Sequence, residues 1–153
     1  MRSLRFLAPA AALALAAFAA PGQRQQQQAA PTRMVVYKSP SCGCCTKWVD
    51  IMRASGFTVQ VHDQDDVSPI KRASGVPASA ESCHTAQVGG YIVEGHVPVA
   101  DIRRMLRERP QIVGIAAPGM PVGSPGMEVG ERRDRYEVVS FTQNGRTAVF
   151  ERH

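Results

Sequence analysis

Residues 39–48 read SPSCGCCTKW, and the position of this stretch between a predicted strand and a predicted helix decides the fold. Met34-Val35-Val36-Tyr37 is a short run of strand-forming residues, and the serines and proline of 39–41 then interrupt it and can cap a helix. We expect that helix to end at Gly56. Its apolar face has the spacing i, i+3, i+4 and i+7, formed by Cys45, Trp48, Val49 and Met52. The sequence therefore predicts a strand, a cysteine-bearing turn and a helix.

The chain from Phe57 to Arg109 continues this alternation of strands and helices. The predicted elements are a strand at 57–61, a short helix from its cap Ser68 to about Gly75, strands near 82–88 and 91–97 joined by a Gly89-Gly90 turn, and a helix from Pro98 to Arg109. The resulting order, β-α-β-α-β-β-α, is the thioredoxin-like succession. Such a sheet carries its chemistry at a Cys-x-x-Cys after the first strand. We therefore predict an α/β fold with a thioredoxin-like sheet and flanking helices.

Two further segments follow the last predicted helix. Residues 111–130 are rich in glycine and proline but also carry apolar residues and methionines, which predicts a loop packed over another part of the domain. Residues 135–152 surround Asn144-Gly145 and alternate in polarity, which predicts a terminal β-hairpin. The domain is therefore expected to cover residues 34–153.

Residues 1–20 resemble a leader sequence. Arg2 and Arg5 near the start precede an uncharged Ala/Leu/Phe run that ends in small residues. This arrangement predicts a cleavable signal peptide at 1–20, followed by a polar, Gln-rich flexible tether at 21–33. We expect export to the periplasm, with no stable membrane anchor after cleavage. The formal charge of +5 is spread over arginines without interleaved aromatic residues, which argues against nucleic-acid binding.

The cysteines offer two chemistries. Cys42 and Cys45 form a Cys-x-x-Cys pair at a helix N-terminus, where the helix dipole stabilises a thiolate, so they are the candidate catalytic residues of a thiol-disulfide oxidoreductase. Cys44 complicates that interpretation, because a third thiolate beside the pair could attack any disulfide that forms. Three thiolates on one turn suit a soft metal better.

Three residues farther along the chain are candidates to join this turn. The third strand of a thioredoxin-like sheet starts at the end where the cysteines lie, and the fourth strand returns there, so Cys83 and His96 are expected to converge on them. His84 is a weaker candidate, because strand alternation would place it on the opposite face from Cys83. Cys83 could alternatively be a small buried apolar residue or a disulfide partner for one of the three.

Met120 and Met127 in the glycine- and proline-rich loop are additional candidate ligands. Thioether sulfur fits Cu(I) better than zinc, calcium or magnesium, although methionine more often fills gaps in a core. The loop is long enough to reach back to the cysteines. The sequence permits this contact without requiring it.

These motifs together resemble a known family. YKSPSCGCC, GVPASAESCHTA, GGYIVEGHVP and APGMPVGSPGME occur in order between Met34 and about Gly130, and they are similar to the periplasmic copper-resistance CopG family, a thioredoxin-like metal-binding group. The resemblance implies a Cys-x-Cys-Cys site that holds copper as a thiolate-bridged Cu(I) cluster, with a role in copper tolerance and in Cu(I)/Cu(II) interconversion. Carried over to this chain, it points to Cys42, Cys44, Cys45 and Cys83.

The leading hypothesis is thus a periplasmic copper-binding protein whose partners are copper ions and other periplasmic copper-handling proteins. The alternative is a thiol-disulfide oxidoreductase that uses Cys42 and Cys45. An iron-sulfur carrier or a structural zinc module is a third option, and export of an unfolded chain disfavours clusters assembled in the cytosol. Whether the protein is a copper or thiol oxidoreductase, or no enzyme, stays open at this point.

Overall fold

A computed structural model describes residues 32–153 of the chain. The predicted signal peptide and the tether up to residue 31 lie outside the described residues. The first strand begins at Arg33, one residue before the predicted start of structure. No helix among residues 32–153 combines the length and the hydropathy needed to cross a bilayer.

Seven strands form one mixed sheet over the described residues, and three α-helices accompany it. The strands are β1 (Arg33–Lys38), β2 (Thr58–Asp63), β3 (Thr85–Val88), β4 (Tyr91–Glu94), β5 (Gly114–Ala116), β6 (Glu137–Phe141) and β7 (Thr147–Arg152). The helices are α1 (Gly43–Ala54), α2 (Ser68–Ala73) and α3 (Val99–Glu108), with a short 3₁₀ helix at Ala78–Ala80. The α/β class and the predicted β-α-β-α-β-β-α order from β1 to α3 are therefore confirmed.

The strand order is β2-β1-β3-β4-β5-β6-β7. β1 runs parallel to β2 and antiparallel to β3, and β3 runs antiparallel to β4. In this register Tyr37 pairs with Thr85, and Thr85 pairs with Glu94. The end of β1, the start of β3 and the end of β4 consequently lie side by side at one edge of the sheet, as the predicted convergence requires.

The segment 111–130 differs in part from its prediction as a loop. Its first part contains β5, which pairs in parallel with β4 and is buried throughout. The predicted terminal hairpin is confirmed as β6 and β7, and β6 pairs with β5. The hairpin is thus a continuation of the main sheet.

Two apolar clusters cover the two faces of the sheet. Strand β4 shows the alternation, because Tyr91 and Val93 belong to the larger cluster while Ile92 packs against the smaller one. The larger cluster receives the buried faces of α1 and α3, whose core residues are Trp48, Val49, Met52, Ile102 and Met105. The helix that carries the cysteines is therefore fixed to the sheet by its buried face.

Two helix starts differ from their predictions by a few residues. Cys42, and neither of the preceding serines, is the N-cap of α1, and its Sγ accepts a hydrogen bond from the Cys45 amide at 3.3 Å. For α2 the cap position is Val67, and the Asp66 carboxylate accepts from the Ser68 amide at 2.9 Å. Because a sulfur caps α1, the cysteine turn and the helix start are one structural unit.

Candidate metal and thiol site

The start of α1 holds the predicted Cys-x-x-Cys pair, and its two cysteines are joined by a disulfide bond. Cys42 is half-buried at the N-cap, whereas Cys45, one turn into the helix, has no solvent exposure. Cys44 and Cys83 are free thiols, each half-buried. The outer member of the pair is therefore accessible, and the inner member is protected by the core.

All four cysteine sulfurs lie within 4.8 Å of one another, and we refer to them as the sulfur cluster. Cys44 Sγ is 3.5 Å from Cys42 Sγ, and Cys83 Sγ is 3.5 Å from Cys45 Sγ. Cys83 comes from the segment before β3, so strand pairing brings it to the helix start from 38 residues away. The predicted convergence of Cys83 on the turn is confirmed.

Two histidines lie on the inner side of the sulfur cluster. His96 Nε2 is 3.0 Å from Cys83 Sγ, and His84 Nδ1 is 3.4 Å from the same sulfur. Cys45, Cys83, His84 and His96 form a second group whose ligand atoms lie within 4.8 Å. The convergence predicted for His96 is therefore confirmed.

The expectation that His84 faces away from Cys83 is wrong. Strand alternation applies only inside a strand, and β3 begins at Thr85, after both residues. In the bend before the strand, the two side chains turn toward the same place. His84 is completely buried, packs on the Trp48 ring with 4.5 Å between ring centroids, and its Nε2 has no hydrogen-bond partner.

The backbone fixes the tautomer of His96. The Pro125 carbonyl can only accept, and it lies 2.8 Å from His96 Nδ1, so Nδ1 carries the proton. Burial lowers the pKa of His96, which keeps the ring neutral and leaves Nε2 as an acceptor toward Cys83. Next to this histidine, Trp48 Nε1 donates to the Val97 carbonyl at 3.0 Å and ties α1 to the segment after β4.

Burial also controls protonation of the other inner groups. Desolvation, followed by the neighbouring Cys44 sulfur, raises the pKa of the Cys83 thiol to about 11. For His84, desolvation is the main cause that lowers the pKa well below its usual 6.5, and electrostatic repulsion from His96, if that ring is protonated, and from the charged Lys71 and Lys38 acts in the same direction. At neutral pH, Cys83 is accordingly a thiol, and His84 is a neutral ring with one unprotonated nitrogen that can bind a metal or accept a hydrogen bond.

Behind the cysteines lies a buried ion pair that sequence analysis missed. Lys71 of α2 contacts the carboxylate of Glu94, and both side chains are almost fully buried. Glu94 also accepts from the Ser82 amide at 2.7 Å and from the Thr85 hydroxyl at 2.6 Å. Desolvation raises the pKa of Glu94, although Lys71 and the two hydrogen-bond donors act to lower it. The carboxylate therefore holds the segment that carries Cys83. We refer to these inner groups as the polar support: Lys71, His84, Thr85, Glu94 and His96.

The sequence contains one sign of this buried ion pair, which is a charged residue at the end of an apolar strand. Glu94 closes the run Tyr91–Glu94 immediately before a glycine, yet nothing in the local pattern identifies its partner 23 residues away.

The glycine- and proline-rich loop packs over the site, as predicted. Gly126 has φ +84°, and a β-carbon there would meet the Cys44 carbonyl at 2.8 Å and the Trp48 amide at 3.0 Å. Only glycine fits this position, because both the conformation and the space exclude a side chain. Met127, next to it, is half-buried, whereas Met120 is 56% exposed. Ligation by either methionine stays a prediction.

Comparisons with known proteins show which family the chain belongs to. A family model described as "Protein of unknown function, DUF411" matches residues 80–127. Two solved structures, described as copper resistance protein CopG in form 1 and form 2, each share 48% identity with this chain. Each alignment covers 80% of this chain and 98% of the other, with a TM-score of 0.76. The curated proteins searched contain no match. The identity and coverage of the two solved structures show that the chain belongs to the CopG copper-resistance protein family.

Proposed function

We propose that this protein binds copper as Cu(I) through the sulfur cluster and serves copper resistance. The observation that carries the proposal is the gathering of four cysteine sulfurs within 4.8 Å at the start of α1. Thiolates are soft ligands, and Cu(I) is a soft ion that they select. The solved relatives described as copper resistance proteins support the same choice of metal.

The dithiol form of the protein is the form that would load copper. The Cys42–Cys45 bond removes two of the four possible thiolates, so reduction of this disulfide has to precede binding by all four sulfurs. A metal must also displace the thiol protons, and the pKa of Cys83 is raised to about 11. Copper affinity should consequently weaken as the pH falls.

Anaerobic loading with Cu(I) tests this function. The reduced chain is incubated with excess Cu(I), passed through a desalting column, and analysed for copper and protein. We expect at least one tightly held copper per chain, and markedly less in a matched sample kept in the disulfide form. Less than one copper per reduced chain would contradict the proposal.

A second candidate is a thiol-disulfide oxidoreductase, and the disulfide between Cys42 and Cys45 favours it. In this function Cys42, the more accessible sulfur, attacks a substrate disulfide and Cys45 resolves the mixed disulfide. Insulin reduction by the metal-free chain distinguishes the two functions. Turnover that survives Cys44→Ser but is lost in Cys42→Ser would support the oxidoreductase, whereas absence of turnover in the unsubstituted chain would exclude it.

Three finer parts of the proposal concern the cellular setting. We infer that the protein acts in the periplasm and that it exchanges copper with other periplasmic copper-handling proteins. We also infer that bound copper interconverts between Cu(I) and Cu(II): oxidation of the Cys42 and Cys45 thiols to their disulfide releases two electrons and two protons, and two Cu(II) ions take up the electrons to become Cu(I). The leader-like sequence at 1–20 supports export. Fractionation of cells that express the full chain would test the compartment, and recovery in the cytosol without loss of the leader would contradict it.

A further inference from the structure

We infer that Lys38 is a positioning residue for the sulfur cluster, which shapes the cysteine turn and supplies buried positive charge to the copper-loaded thiolates. The inference rests on the proposed Cu(I) binding and adds to it a residue outside both the sulfur cluster and the polar support. Two observations carry it. These are the contacts of the Lys38 ammonium and the difference in exposure between Lys38 and its ion-pair partner Asp63.

Lys38 is the last residue of β1 and directly precedes the turn that carries the cysteines. It is buried, and a lysine is almost never fully buried unless its ammonium has partners. The partners here are the Ser39 carbonyl at 3.1 Å and the Asp63 carboxylate at 2.9 Å. The sheet determines this arrangement, because the parallel pairing of β1 with β2 sets Lys38 opposite Asp63.

The first effect of Lys38 is on the shape of the cysteine turn. The Ser39 carbonyl accepts hydrogen bonds from two donors, the Lys38 ammonium and the Cys42 amide, each at 3.1 Å. Cys42 is the N-cap of α1, so this carbonyl helps to fix the residue at which the helix begins. Lys38 therefore links the end of β1 to the first cysteine of the cluster through one shared acceptor.

The second effect is electrostatic and follows from the surroundings of the two charges in the ion pair. The Lys38 side chain is 7% exposed, whereas the Asp63 side chain is 55% exposed. Water and salt screen the exposed carboxylate much more than the buried ammonium. The pair consequently presents a net positive charge to the protein interior and to the turn beside it.

Lys71, the other buried lysine in residues 32–153, does not supply such a charge. It pairs with Glu94, and both side chains of that pair are almost fully buried. The two opposite charges are therefore screened equally little and offset each other. Of the two buried lysines, Lys38 alone has positive charge left over for the site.

A copper-loaded sulfur cluster needs such a charge. Cysteine binds a metal as the thiolate, so four cysteines bring four negative charges, and one Cu(I) offsets only one of them. Negative charge at a half-buried site is costly unless it is compensated. The Lys38 ammonium shares its acceptor with the Cys42 amide, so it lies close enough to lower this cost. The benefit is largest for the first copper bound.

Competition of the reduced chain with a chromophoric Cu(I) chelator tests this role. Lys38→Met removes both the charge and the donor, and we expect Cu(I) affinity to fall by roughly 10–100-fold, the range for a residue that supports the ligands from outside. Lys38→Arg keeps the positive charge and should retain most of the affinity. Lys47→Met removes an exposed lysine from α1 and is the matched control, which should bind Cu(I) as the unsubstituted chain does.

Asp63→Asn separates the charge of Lys38 from a purely structural role. Asparagine can still accept a hydrogen bond from the ammonium but no longer offsets its charge. We therefore expect Asp63→Asn to bind Cu(I) at least as tightly as the unsubstituted chain. An affinity as low as that of Lys38→Met, in either Asp63→Asn or Lys38→Arg, would overturn the electrostatic role. Circular dichroism checks the fold of each variant, and these two variants still decide the question if Lys38→Met does not fold.

The unsubstituted chain in the same titration distinguishes failure of this inference from failure of the proposed function. Tight copper binding by that chain, with equal affinity in Lys38→Met, would overturn the role of Lys38 and leave copper binding intact. Less than one copper per unsubstituted chain would overturn both.

Discussion

The sulfur cluster and the polar support occupy the same end of the sheet, but they are built differently. Three of the four cysteines are half-exposed on a helix start and a bend, whereas all five residues of the polar support are buried. The exposed layer carries reactive atoms, and the buried layer fixes their positions through hydrogen bonds and an ion pair. The difference indicates that chemistry and folding stability are assigned to separate residues, so substitutions in the two layers should have different consequences.

The largest expected effect is a loss of stability when the buried ion pair is broken. Glu94→Gln leaves the ammonium of Lys71 buried without a counter-charge and weakens the hold on the Ser82 amide. We expect the free energy of unfolding to fall by roughly 3–5 kcal/mol. Denaturant titration of the metal-free chain measures it, with Lys71→Met/Glu94→Gln as the matched control that should lose less. A loss below about 1 kcal/mol would contradict the role given to the polar support.

The opposite behaviour is expected in the sulfur cluster. Cys44 is half-exposed and takes no part in the disulfide, so Cys44→Ser should change the free energy of unfolding by no more than about 0.5 kcal/mol. Copper affinity, however, should fall by more than about 100-fold, because loss of an outer-shell partner alone costs roughly 10–100-fold. Competition with a chromophoric Cu(I) chelator measures this change. Unchanged affinity would leave Cys44 outside the site.

Part of the site could be predicted from the sequence alone. The strand-helix-strand order and the Gly89-Gly90 hairpin fix the direction of each strand, and those directions bring Cys83 and His96 to the cysteine turn. The terminal hairpin was predictable because Asn144-Gly145 is a strong turn signal. Regular local patterns were therefore sufficient for the positions of the main elements.

Other features have no local signal. Strand β5 contains a glycine and has only three residues, so it is too short to show the two-residue alternation of a strand. The inward turn of His84 depends on β3 starting two residues later than Cys83. Contacts of Lys71 with Glu94 and of Pro125 with His96 link residues that are distant in sequence, so only the assembled sheet and loop define them.

An intermediate effect is expected at His96, which belongs to the polar support and also contacts the sulfur cluster. His96→Gln removes the ring nitrogen 3.0 Å from Cys83 Sγ and the tautomer set by Pro125. We expect copper affinity to fall by roughly 10–100-fold, the range for a residue that binds or orients a ligand group. The chelator competition measures this as well, and His62→Gln provides a histidine control that should leave affinity unchanged. Equal copper affinities of the two variants would show that His96 neither binds copper nor orients a copper ligand.

The smallest expected effect is acid destabilisation through the buried histidine. Well above pH 6.5, His84 is neutral in both the folded and the unfolded chain and contributes no pH dependence. The pKa of His84 in the folded chain is lowered. As the pH falls through 6.5, the ring therefore binds a proton in the unfolded chain but stays neutral in the folded chain, and the free energy of unfolding decreases. Thermal unfolding at about pH 7.5 and about pH 5.5 should show a smaller decrease for His84→Gln than for the unsubstituted chain. Equal decreases would contradict this assignment.

Copper K-edge X-ray absorption of the reduced, Cu(I)-loaded chain tests most directly whether the sulfur cluster holds the metal. The measurement separates sulfur from nitrogen neighbours, so it distinguishes the sulfur cluster from the histidines behind it. We expect sulfur to dominate the shell around copper, the sulfur number to fall in Cys83→Ser, and the same number to persist in His84→Gln. A shell of nitrogen and oxygen alone, or a sulfur number that Cys83→Ser leaves unchanged, would contradict binding by the four cysteines.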